Sequence, residues 1–447
     1  MEDIEFSWSQ TLVRTDSINI PFSIYVGEDQ SVYLTADHYI SKYNPNGTQA
    51  WKKTYLDNPE DLLTKNPDNT VEIKTISSID SDENGSIYIC GYINDYYKSI
   101  ANHRELRTTI TDETDSFISK LDKNGEIIWT ERLSNTGFSH DDKALGISVA
   151  SKDEIYITGY SYGDLDGNLN SGDKDAYISK YDSDGNNKWS KLIGSETEDV
   201  SFNVKSSNGY VYIAGYTKGD IDHSGAREDV NKNGFISKFD SNGKEIWTNE
   251  IGTIGNDGFH DLAITKDGEY IYTVGYTFGI YSNSVFDHHN QNKHGFLISK
   301  IRNDGVVEWE KLSYCGIYDD IATGLLGQEG LPNRTINYSD YEFKHHSITI
   351  DSEGDLYIGG SIVNKYGAAQ LLLSKHDSDG NFVSNKFPTG LSYNHYGKLE
   401  GLSTDRNGND LYVAALYNRD GPDGSWDDRG TLTKYIKDDG SALFSIN

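Results

Sequence analysis

The stretch "ISKYDSDGNNKW" at residues 178–189 decides the fold of this 447-residue chain. Its Asp-Gly pair lies between alternating apolar runs, and such a pair is the strongest short-range signal for a β-hairpin. The spacing from Ile to Trp recurs in five copies, at 40–51, 118–129, 178–189, 236–247 and 298–309. Two degenerate copies follow at 373–384 and 432–444, with Ser384 and Phe444 in place of the Trp. The sequence therefore predicts seven equivalent hairpins.

A second hairpin is predicted between successive copies. Segments such as "ISVASKDEIYITGY" (147–160) and "FNVKSSNGYVYIAGY" (202–216) each contain two strand-like runs around a short polar turn. Each unit then has four antiparallel strands, A to D, and seven such units are typical of a β-propeller. We predict an all-β, seven-bladed β-propeller of four-stranded blades that forms one domain over 1–447. Its units run roughly over 8–51, 52–129, 130–189, 190–247, 248–309, 310–384 and 385–447.

The two ends of the chain are alternative candidates for closing the ring. The segment "FSWSQTL" at 6–12 resembles an additional D strand and places Trp8 in the marker position. It is predicted to pair with the last blade and so to close the ring. The C-terminal segment "ALFSIN" at 442–447 is the other candidate for the same edge.

The charge of the chain limits the classes of partner. It has 70 acidic and 40 basic side chains, a formal net charge of −30. Nucleic-acid binding normally depends on a basic patch, so no nucleic-acid partner is expected, and an anionic membrane surface is disfavoured for the same reason. The apolar runs are far shorter than the about 20 residues of a transmembrane helix, and no signal peptide is visible. We expect a monomer without membrane insertion.

The repeat resembles that of the SBBP family, the seven-bladed β-propeller repeats of bacterial secreted and surface proteins. The resemblance rests on the Gly-to-Trp spacing, on a strand of the form "YIxGY" and on the segment 163–189, and it covers essentially the whole chain. Units six and seven depart from it, because "YIGGS" (357–361) and "YVAAL" (412–416) replace the Gly-Tyr pair. The resemblance implies an extracellular or cell-surface scaffold, alone or within a larger surface protein, and no particular chemistry.

The predicted insertions all lie on one face of the propeller. The A–B and C–D turns share one face and are tight, whereas the B–C loops and D–A crossovers share the other. Long loops on a rigid scaffold are a usual location of function, although insertions also accumulate where they cost least. We predict that this loop-rich face binds a ligand. Its insertions are 94–115, 161–175, 217–233, 277–294 and 417–430 between B and C, with 52–74 and 314–346 between D and A.

The histidines concentrate on the same face. Eleven of the twelve lie there by this strand assignment, and only His376 lies towards the opposite turns. His260 and His346 occupy the same repeat position, just ahead of strand A, which lines the central channel. They are candidate metal ligands or acid–base groups near neutral pH, or they simply cap the channel.

The B–C loop of unit three is a candidate calcium site. Oxygen-bearing side chains alternate in this Gly-rich loop, and Ca²⁺ takes six to eight oxygen ligands. The alternative is that Asp, Asn and Gly only form turns. Weaker versions occur in unit seven and in unit four, where Asp220 and Asp222 belong to the pattern. The predicted ligands in unit three are Asp164, Asp166, Asn168, Asn170, Asp173 and Asp175.

Aromatic residues of the predicted long loops are a candidate binding surface. Tyr and Trp lead among the residues that dominate binding interfaces, although loop aromatics also anchor loops onto blades. The repeated Tyr and Trp of the markers are assigned instead to packing between blades. The candidates for binding are Tyr96, Tyr97, Tyr281, Tyr341 and Trp426.

Three functions remain open from the sequence. The first is a non-catalytic binding, adhesion or scaffold module whose loop-rich face binds a glycan or a protein partner. The second is a polysaccharide-degrading lyase or hydrolase, although the net charge counts against an anionic substrate. Its candidate residues at the channel mouth are His260, His346, Arg334 and Tyr338. The third is a structural spacer within a larger surface protein.

Overall fold

The described part of the chain consists of β-strands and turns. The computed structural model describes residues 4–13, 22–36, 39–55, 70–99, 107–133, 141–222, 225, 231–253, 255–278, 295–313, 341–364, 369–386, 396–405, 407–420 and 426–437. Within these ranges, no helix is long and apolar enough to cross a bilayer.

Twenty-eight strands follow one another along the described residues. The first thirteen are β1 Ile4–Val13, β2 Phe22–Val26, β3 Val32–Ala36, β4 Tyr39–Tyr43, β5 Gln49–Thr54, β6 Thr70–Ser81, β7 Ile87–Ser99, β8 Arg107–Leu121, β9 Ile127–Leu133, β10 Lys143–Ser151, β11 Glu154–Ser161, β12 Asp175–Tyr181 and β13 Asn187–Ile193. The others are β14 Asp199–Ser207, β15 Tyr210–Thr217, β16 Asn233–Asp240, β17 Glu245–Ile251, β18 Asp257–Ile264, β19 Tyr270–Thr277, β20 Gly295–Arg302, β21 Val307–Ser313, β22 Tyr341–Ile350, β23 Leu356–Asn364, β24 Ala369–His376, β25 Phe382–Lys386, β26 Tyr396–Thr404, β27 Asp410–Asp420 and β28 Trp426–Lys437.

The strands form seven antiparallel sheets of four strands each. Strands β2 to β5 form blade 1, and each following group of four forms the next blade up to blade 6. Within these blades the order in space is the order in sequence, so the four strands are A, B, C and D. The arrangement confirms the predicted all-β, seven-bladed propeller.

The N-terminal strand completes the last blade. Blade 7 has the order β26, β27, β28, β1, so β1 is its outer D strand. The pairing is antiparallel and runs from Ile4 opposite Lys437 to Val13 opposite Arg429. Closure of the ring by the N-terminal strand is therefore confirmed, and the alternative segment 442–447 lies outside the described residues.

The Asp-Gly marker folds as a tight turn between strands C and D. In blade 3, Asp182 Oδ1 accepts the backbone N–H groups of Asp184 and Asn186 at 3.0 and 2.9 Å. Gly185 has a φ of 88°, in the left-handed region that glycine adopts without a steric penalty. The acceptor is thus Asp182, two residues ahead of the Asp184-Gly185 pair, and the Gly supplies the backbone conformation.

The marker Lys and Trp of one blade contact the C–D turn of the next blade. Lys180 Nζ and Trp189 Nε1 of blade 3 both donate to the carbonyl oxygen of Ser241 in blade 4, at 3.0 and 3.2 Å. We call this arrangement the Lys–Trp contact. It repeats on either side: Lys120 and Trp129 donate to Ser183 O at 3.0 and 3.1 Å, and Lys238 and Trp247 donate to Asn303 O at 2.7 and 3.1 Å.

The turn glycine provides the surface on which the Trp ring of the preceding blade lies. A Cβ built on Gly243 would be 2.8 Å from the Trp189 ring, and a Cβ built on Gly305 would be 3.1 Å from the Trp247 ring. A larger residue would have to displace the ring, because the interior is closely packed. The marker Trp therefore packs between blades, as the sequence predicts, and it packs on the marker of its neighbour.

Apolar side chains fill the space between neighbouring blades. One buried cluster joins Tyr156 and Ile178 of blade 3 to Val204, Ile213 and Phe235 of blade 4. Burial of apolar surface stabilises a fold by roughly 25 cal/mol per Å². Since each blade is covered by its neighbours on both sides, this packing sets the positions of the A strands around the central channel.

Replacing Gly243 by Ala should destabilise the fold more than replacing Gly209 by Ala. Both glycines have a left-handed φ, 80° and 78°, so each change carries a penalty of about 1–2 kcal/mol. Only at Gly243 does the new Cβ meet the Trp189 ring, which adds about 1–3 kcal/mol, whereas nothing lies within 4 Å of Gly209. Urea unfolding of the two variants measures the difference. Equal losses of stability would contradict a role of the turn glycine in seating the Trp.

Candidate functional site

A central channel with a volume of about 1210 Å³ is surrounded by the seven A strands. Its lining includes residues of β2, β6, β10, β14, β18, β22 and β26, with the A–B turns at one end. The other end, where the A strands begin, opens on the loop-rich face, and we call it the mouth. The same strand of every blade therefore contributes to the channel.

The A strands of blades 2 to 7 each contain a β-bulge. A bulge leaves a residue unpaired and redirects its side chain, and bulges are frequent beside functional sites. His260 and His346 share this bulge position, which is the structural basis of their common place in the repeat. The residues that the pairing with strand B omits are Ser77, Leu145, Phe202, His260, the pair His345 and His346, and Glu400.

The Gly of the Gly-Tyr pair on strand B makes room for the bulge. In blade 4, Gly215 lies opposite Ser201, next to the bulged Phe202. A Cβ on Gly215 would overlap the carbonyl oxygen of Val200, and such a close approach of two backbones is a known reason for glycine within a strand. Tyr216 follows and pairs with Val200, so its ring lies beside that of Phe202.

Bulged residues and Gly-Tyr tyrosines of blades 4 and 5 form a continuous row of rings at the mouth. Successive ring centroids are 5.7, 5.1, 5.3 and 5.4 Å apart along Tyr216, Phe202, His260, Tyr276 and Phe278. The rings are tilted or edge-to-face, as aromatic pairs prefer. Tyr216 is buried and the other four are half-buried. We call these five residues the aromatic row.

Lysine ammonium groups lie over the equivalent tyrosines of three neighbouring blades. Each lies within the about 6 Å at which a cation is attracted to the face of an aromatic ring. The distances from Nζ to the ring centroid are 4.7 Å for Lys143 on Tyr92, 4.8 Å for Lys174 on Tyr160 and 3.6 Å for Lys232 on Tyr216.

The tyrosine hydroxyls at the mouth are held in their protonated form. Burial raises the pKa of Tyr216, and the hydrogen bond that its hydroxyl donates to Glu198 raises this pKa further. Burial also raises the pKa of Tyr160, whose hydroxyl donates to Asp141 Oδ2 at 3.1 Å. Both hydroxyls are therefore hydrogen-bond donors at neutral pH.

Glu198 gathers three lysines at the junction of blades 3 and 4. Lys174 Nζ lies 2.6 Å from Glu198 Oε1, Lys218 Nζ contacts Oε2, and Lys232 Nζ lies 3.9 Å from Oε2. Burial opposes the ionisation of Glu198, but hydrogen bonds from Lys174, Lys218 and Tyr216 lower its pKa to about 2. We call Glu198 and its three lysines the lysine cluster. Three ammonium groups and one carboxylate give it a formal charge of +2.

Of the residues predicted for an enzymatic site, His260 is part of the aromatic row. The backbone of His346 lies in β22 at the bulge of blade 6, and its side chain is outside the described residues. Arg334 and Tyr338 are outside the described residues as well. The catalytic role of these four residues stays a prediction.

Four of the aromatic residues predicted to lie in loops lie in strands instead. Tyr96 and Tyr97 belong to β7, where they pair with Val71 and Thr70 of β6. Tyr341 is the first residue of β22 and Trp426 the first of β28. The location predicted for these four residues is therefore wrong.

The physical reason for this difference is strand extension. The insertion 94–115 contains the Thr- and Ile-rich run 107–111, which has strand propensity, and Thr109 and Ile110 pair with Tyr97 and Tyr96. Strands B and C of blade 2 therefore continue as a long hairpin. Tyr281 lies outside the described residues, and the ligand-binding role of all five aromatics stays a prediction.

The predicted calcium ligands of blade 3 take part in closing their own loop. Asp164 Oδ1 accepts the backbone N–H of Asn170 at 2.9 Å, and Asn168 Nδ2 donates to two backbone carbonyls at 2.9 and 3.0 Å. Asp166 and Asp173 are exposed. These hydrogen bonds account for the loop conformation, and calcium binding here stays a prediction.

Asp175, the sixth predicted calcium ligand, is fully buried beside a second carboxylate. Its Oδ2 accepts the backbone N–H of Ser171 at 2.7 Å, and its Oδ1 has no hydrogen-bond partner among the described residues. Burial raises the pKa of Asp175 to about 6, and the charge of Asp199 in the next blade also raises it. A proton or a cation would stabilise this carboxylate.

In blade 4, three carboxylates come together. Single oxygens of Asp220, Asp222 and Glu250 all lie within 4.8 Å of one another. The sequence pattern includes the two aspartates, whereas Glu250 comes from strand D, 28 residues further along from Asp222. Carboxylate oxygens thus converge, among the described residues, in blade 4, one of the two weaker predicted acidic loops.

Comparison with known proteins supports the fold and leaves the family open. No protein-family model matches the chain. The regulatory protein FlaEY of Caulobacter vibrioides is 26% identical over 169 residues, which cover 35% of this chain and 17% of that protein. The chain therefore matches only a minor part of this curated relative, and the SBBP resemblance stays a prediction.

Two solved structures share the overall arrangement. A chain of the mitotic checkpoint complex has a TM-score of 0.50 and 9% identity, with 98% of this chain and 93% of that chain covered. The extracellular region of plexin A4 has a TM-score of 0.50 and 10% identity, with 97% of this chain and 40% of that chain covered. At these identities the likeness shows the fold alone.

Replacing Asp175 by Asn should stabilise the metal-free protein at pH 7.5. The pKa in the folded state, about 6, lies above the usual 3.8, so the wild type loses stability as the pH rises from about 4 to above 6. The variant lacks this titration and should gain roughly 1–2 kcal/mol at pH 7.5, with the gain vanishing near pH 4. Urea unfolding across this range measures it. A gain that is independent of pH would contradict the assignment.

Calcium gives the same variant a second test. If Asp175 is a ligand, millimolar Ca²⁺ should raise the thermal midpoint of the wild type and leave that of Asp175→Asn unchanged, because binding to the folded state stabilises it. Asp184→Asn, in the C–D turn and exposed, is the matched control and should respond like the wild type. Equal responses of the two variants would contradict calcium binding at Asp175.

Proposed function

We propose that this chain is a non-catalytic binding module whose loop-rich face binds a glycan or a protein partner. The observation that supports this function is the aromatic row at the channel mouth. Half-buried aromatic rings lose little conformational entropy on binding, and Tyr adds a polar group at the edge of an apolar face. A seven-bladed propeller fits a binding or scaffold role, although the fold by itself does not define a function.

The scaffold fixes the row before any ligand arrives. Phe202 and His260 are held by bulges in the inner strands β14 and β18, and Tyr216 and Tyr276 belong to the paired strands β15 and β19. A site on strands needs less ordering on binding than a site on loops, and such preorganisation increases affinity. The inner strands therefore present these rings at the mouth in a fixed arrangement.

The location and the cofactor belong to the same proposal. An extracellular or cell-surface position, as a separate chain or within a larger surface protein, is supported by the SBBP-like repeat. Calcium is supported by the buried Asp175, whose Oδ1 has no hydrogen-bond partner among the described residues. A bound cation would offset the charge of this carboxylate at the junction of blades 3 and 4.

A polysaccharide-degrading enzyme is the second candidate function. One observation favours it: His260 lies at the mouth between Phe202 and Tyr276, with ring centroids 5.1 and 5.3 Å away. A histidine near neutral pH can exchange protons with a substrate. Product analysis after prolonged incubation with each bound glycan separates the candidates, since a binding module returns its ligand unchanged.

Replacing Phe202 by Ala should weaken binding about 30-fold or more. Truncating an aromatic residue in the centre of a binding surface typically costs at least about 2 kcal/mol. A glycan array identifies ligands of the wild type, and calorimetry then compares the variants. Leu169→Ala is the matched control, because Leu169 is 76% exposed on the same face and outside the aromatic row. If Phe202→Ala binds as tightly as the control, the aromatic row is not the binding site.

A further inference from the structure

The lysine cluster carries an excess of positive charge in an acidic protein. Lys174, Lys218 and Lys232 all contact the single carboxylate of Glu198, so these four side chains together have a formal charge of +2 in a chain of net charge −30. Other ion pairs of the described residues, such as Lys434 with Asp410 at 2.7 Å, join one basic side chain to one carboxylate. The cluster therefore has the charge of a site that receives an anion.

The backbone holds the lysines at fixed positions on the loop-rich face. Lys174 and Lys232 directly precede the C strands β12 and β16, and Lys218 directly follows the B strand β15. The carbonyl of Lys174 accepts the N–H of Asp199 at 2.7 Å, and the N–H of Lys218 donates to Glu198 O at 3.0 Å. The cluster is thus built from the B–C loops of blades 3 and 4 and the D–A crossover between these blades. Backbone hydrogen bonds join the crossover to both loops.

Aromatic faces also restrict the lysine side chains. Lys232 Nζ lies 3.6 Å from the centroid of Tyr216, and Lys174 Nζ lies 4.8 Å from that of Tyr160. Side-chain exposure is 16% for Lys174, 25% for Lys232 and 38% for Lys218. The ammonium groups are therefore restrained but still reach solvent, which lowers the entropic cost of binding an anion.

The cluster is continuous with the aromatic row. Tyr216 is the first ring of the row, and its hydroxyl donates to Glu198 within the cluster. One ligand can therefore place an apolar ring face on Phe202 and an acidic group on the lysines. At an ionic strength of 0.15 M, charges are screened over about 8 Å, so most of the net charge of −30 acts only weakly on a group bound at the lysines.

We propose that the lysine cluster binds the carboxylate groups of an acidic oligosaccharide, one built from uronic acid units, whose sugar rings lie along the aromatic row. This rests on the proposed binding function at the same mouth and names its ligand class. A carbohydrate is favoured over an acidic peptide, because the row offers ring faces directly beside the cationic site. Each carboxylate would accept charge-assisted hydrogen bonds from the ammonium groups.

Calorimetry of the full chain with oligogalacturonate tests the proposal through two opposite changes. Lys218→Gln should weaken binding about 10-fold, since a hydrogen bond to a charged group is lost. Glu198→Gln should strengthen it several-fold, because the resident carboxylate no longer competes for the lysines, and a merely damaged fold would not bind more tightly. Lys188→Gln is the control with the same change of charge, on a lysine paired with Asp182 at the C–D turn.

Three outcomes overturn the proposal. The first is that the fully methyl-esterified oligomer binds as tightly as the acid and that Lys218→Gln does not change this affinity. The lysines would then not bind carboxylates, and the protein would be a module for neutral glycans. The second is binding of hexaglutamate instead of oligogalacturonate, which makes the partner an acidic peptide. The third is no binding of any of these probes at millimolar concentration, in which case the glycan array on Phe202→Ala still decides the proposed function separately.

Discussion

Three successive junctions of the propeller depend on one repeated interaction, in which a Lys and a Trp of one blade donate to the same turn carbonyl of the next. Each such contact joins residues more than 50 positions apart in sequence, as in Trp189 and Ser241. A neutral hydrogen bond contributes about 1 kcal/mol and a charged donor somewhat more, so a junction gains a few kcal/mol in addition to its apolar packing. The C–D turn supplies the accepting carbonyl, and its glycine leaves room for the Trp ring of the preceding blade. The constant spacing from turn to Trp places that ring at the next turn.

The Lys–Trp contact differs from one blade junction to the next. The candidate site lies at junctions where both the Lys and the Trp donate to the turn carbonyl. The contact joins blades 2 to 3, 3 to 4 and 4 to 5 in the described structure. Between blades 5 and 6, Tyr272 donates to the turn carbonyl of Ser378 at 2.9 Å. Blade 6 has Ser384 in place of the Trp. The aromatic row and the lysine cluster occupy blades 3 to 5, which these contacts join.

The fold could be predicted from local signals. The Asp-Gly turn and the Ile-to-Trp spacing lie within twelve residues, so hairpins and blade number follow from the sequence. The sequence offers both ends of the chain for closing the ring, and the pairing of β1 with β28 identifies the N-terminal strand. The Gly-Tyr pairs are visible in the sequence too, where their repetition indicates packing between blades. The Gly of each pair also makes room for the bulge on the neighbouring A strand. Periodicity alone does not show that a residue such as Phe202 is left unpaired by such a bulge.

The candidate site could be predicted only in part, because its residues meet through tertiary structure. His260 stands out by type and repeat position, whereas Glu198 and Lys232 are 34 residues apart and belong to different connections. The alternating Asp and Asn of 164–175 do not reveal whether an oxygen faces a cation or a backbone N–H. Similarly, the mixed polar composition of 94–115 concealed a strand pair in which Thr109 and Ile110 lie opposite Tyr97 and Tyr96 in the backbone register.

The central claim is that ligand binds at the loop-rich mouth of blades 3 to 5, and hydrogen exchange of the full chain with and without bound oligosaccharide tests it most directly. Protection reports where backbone amides become less accessible or less able to open. We predict increased protection at 174–176, 198–203, 216–218 and 257–261, and no change at the C–D turns such as 182–186. Protection confined to those turns, or absent from all four mouth segments at saturating ligand, would contradict the account.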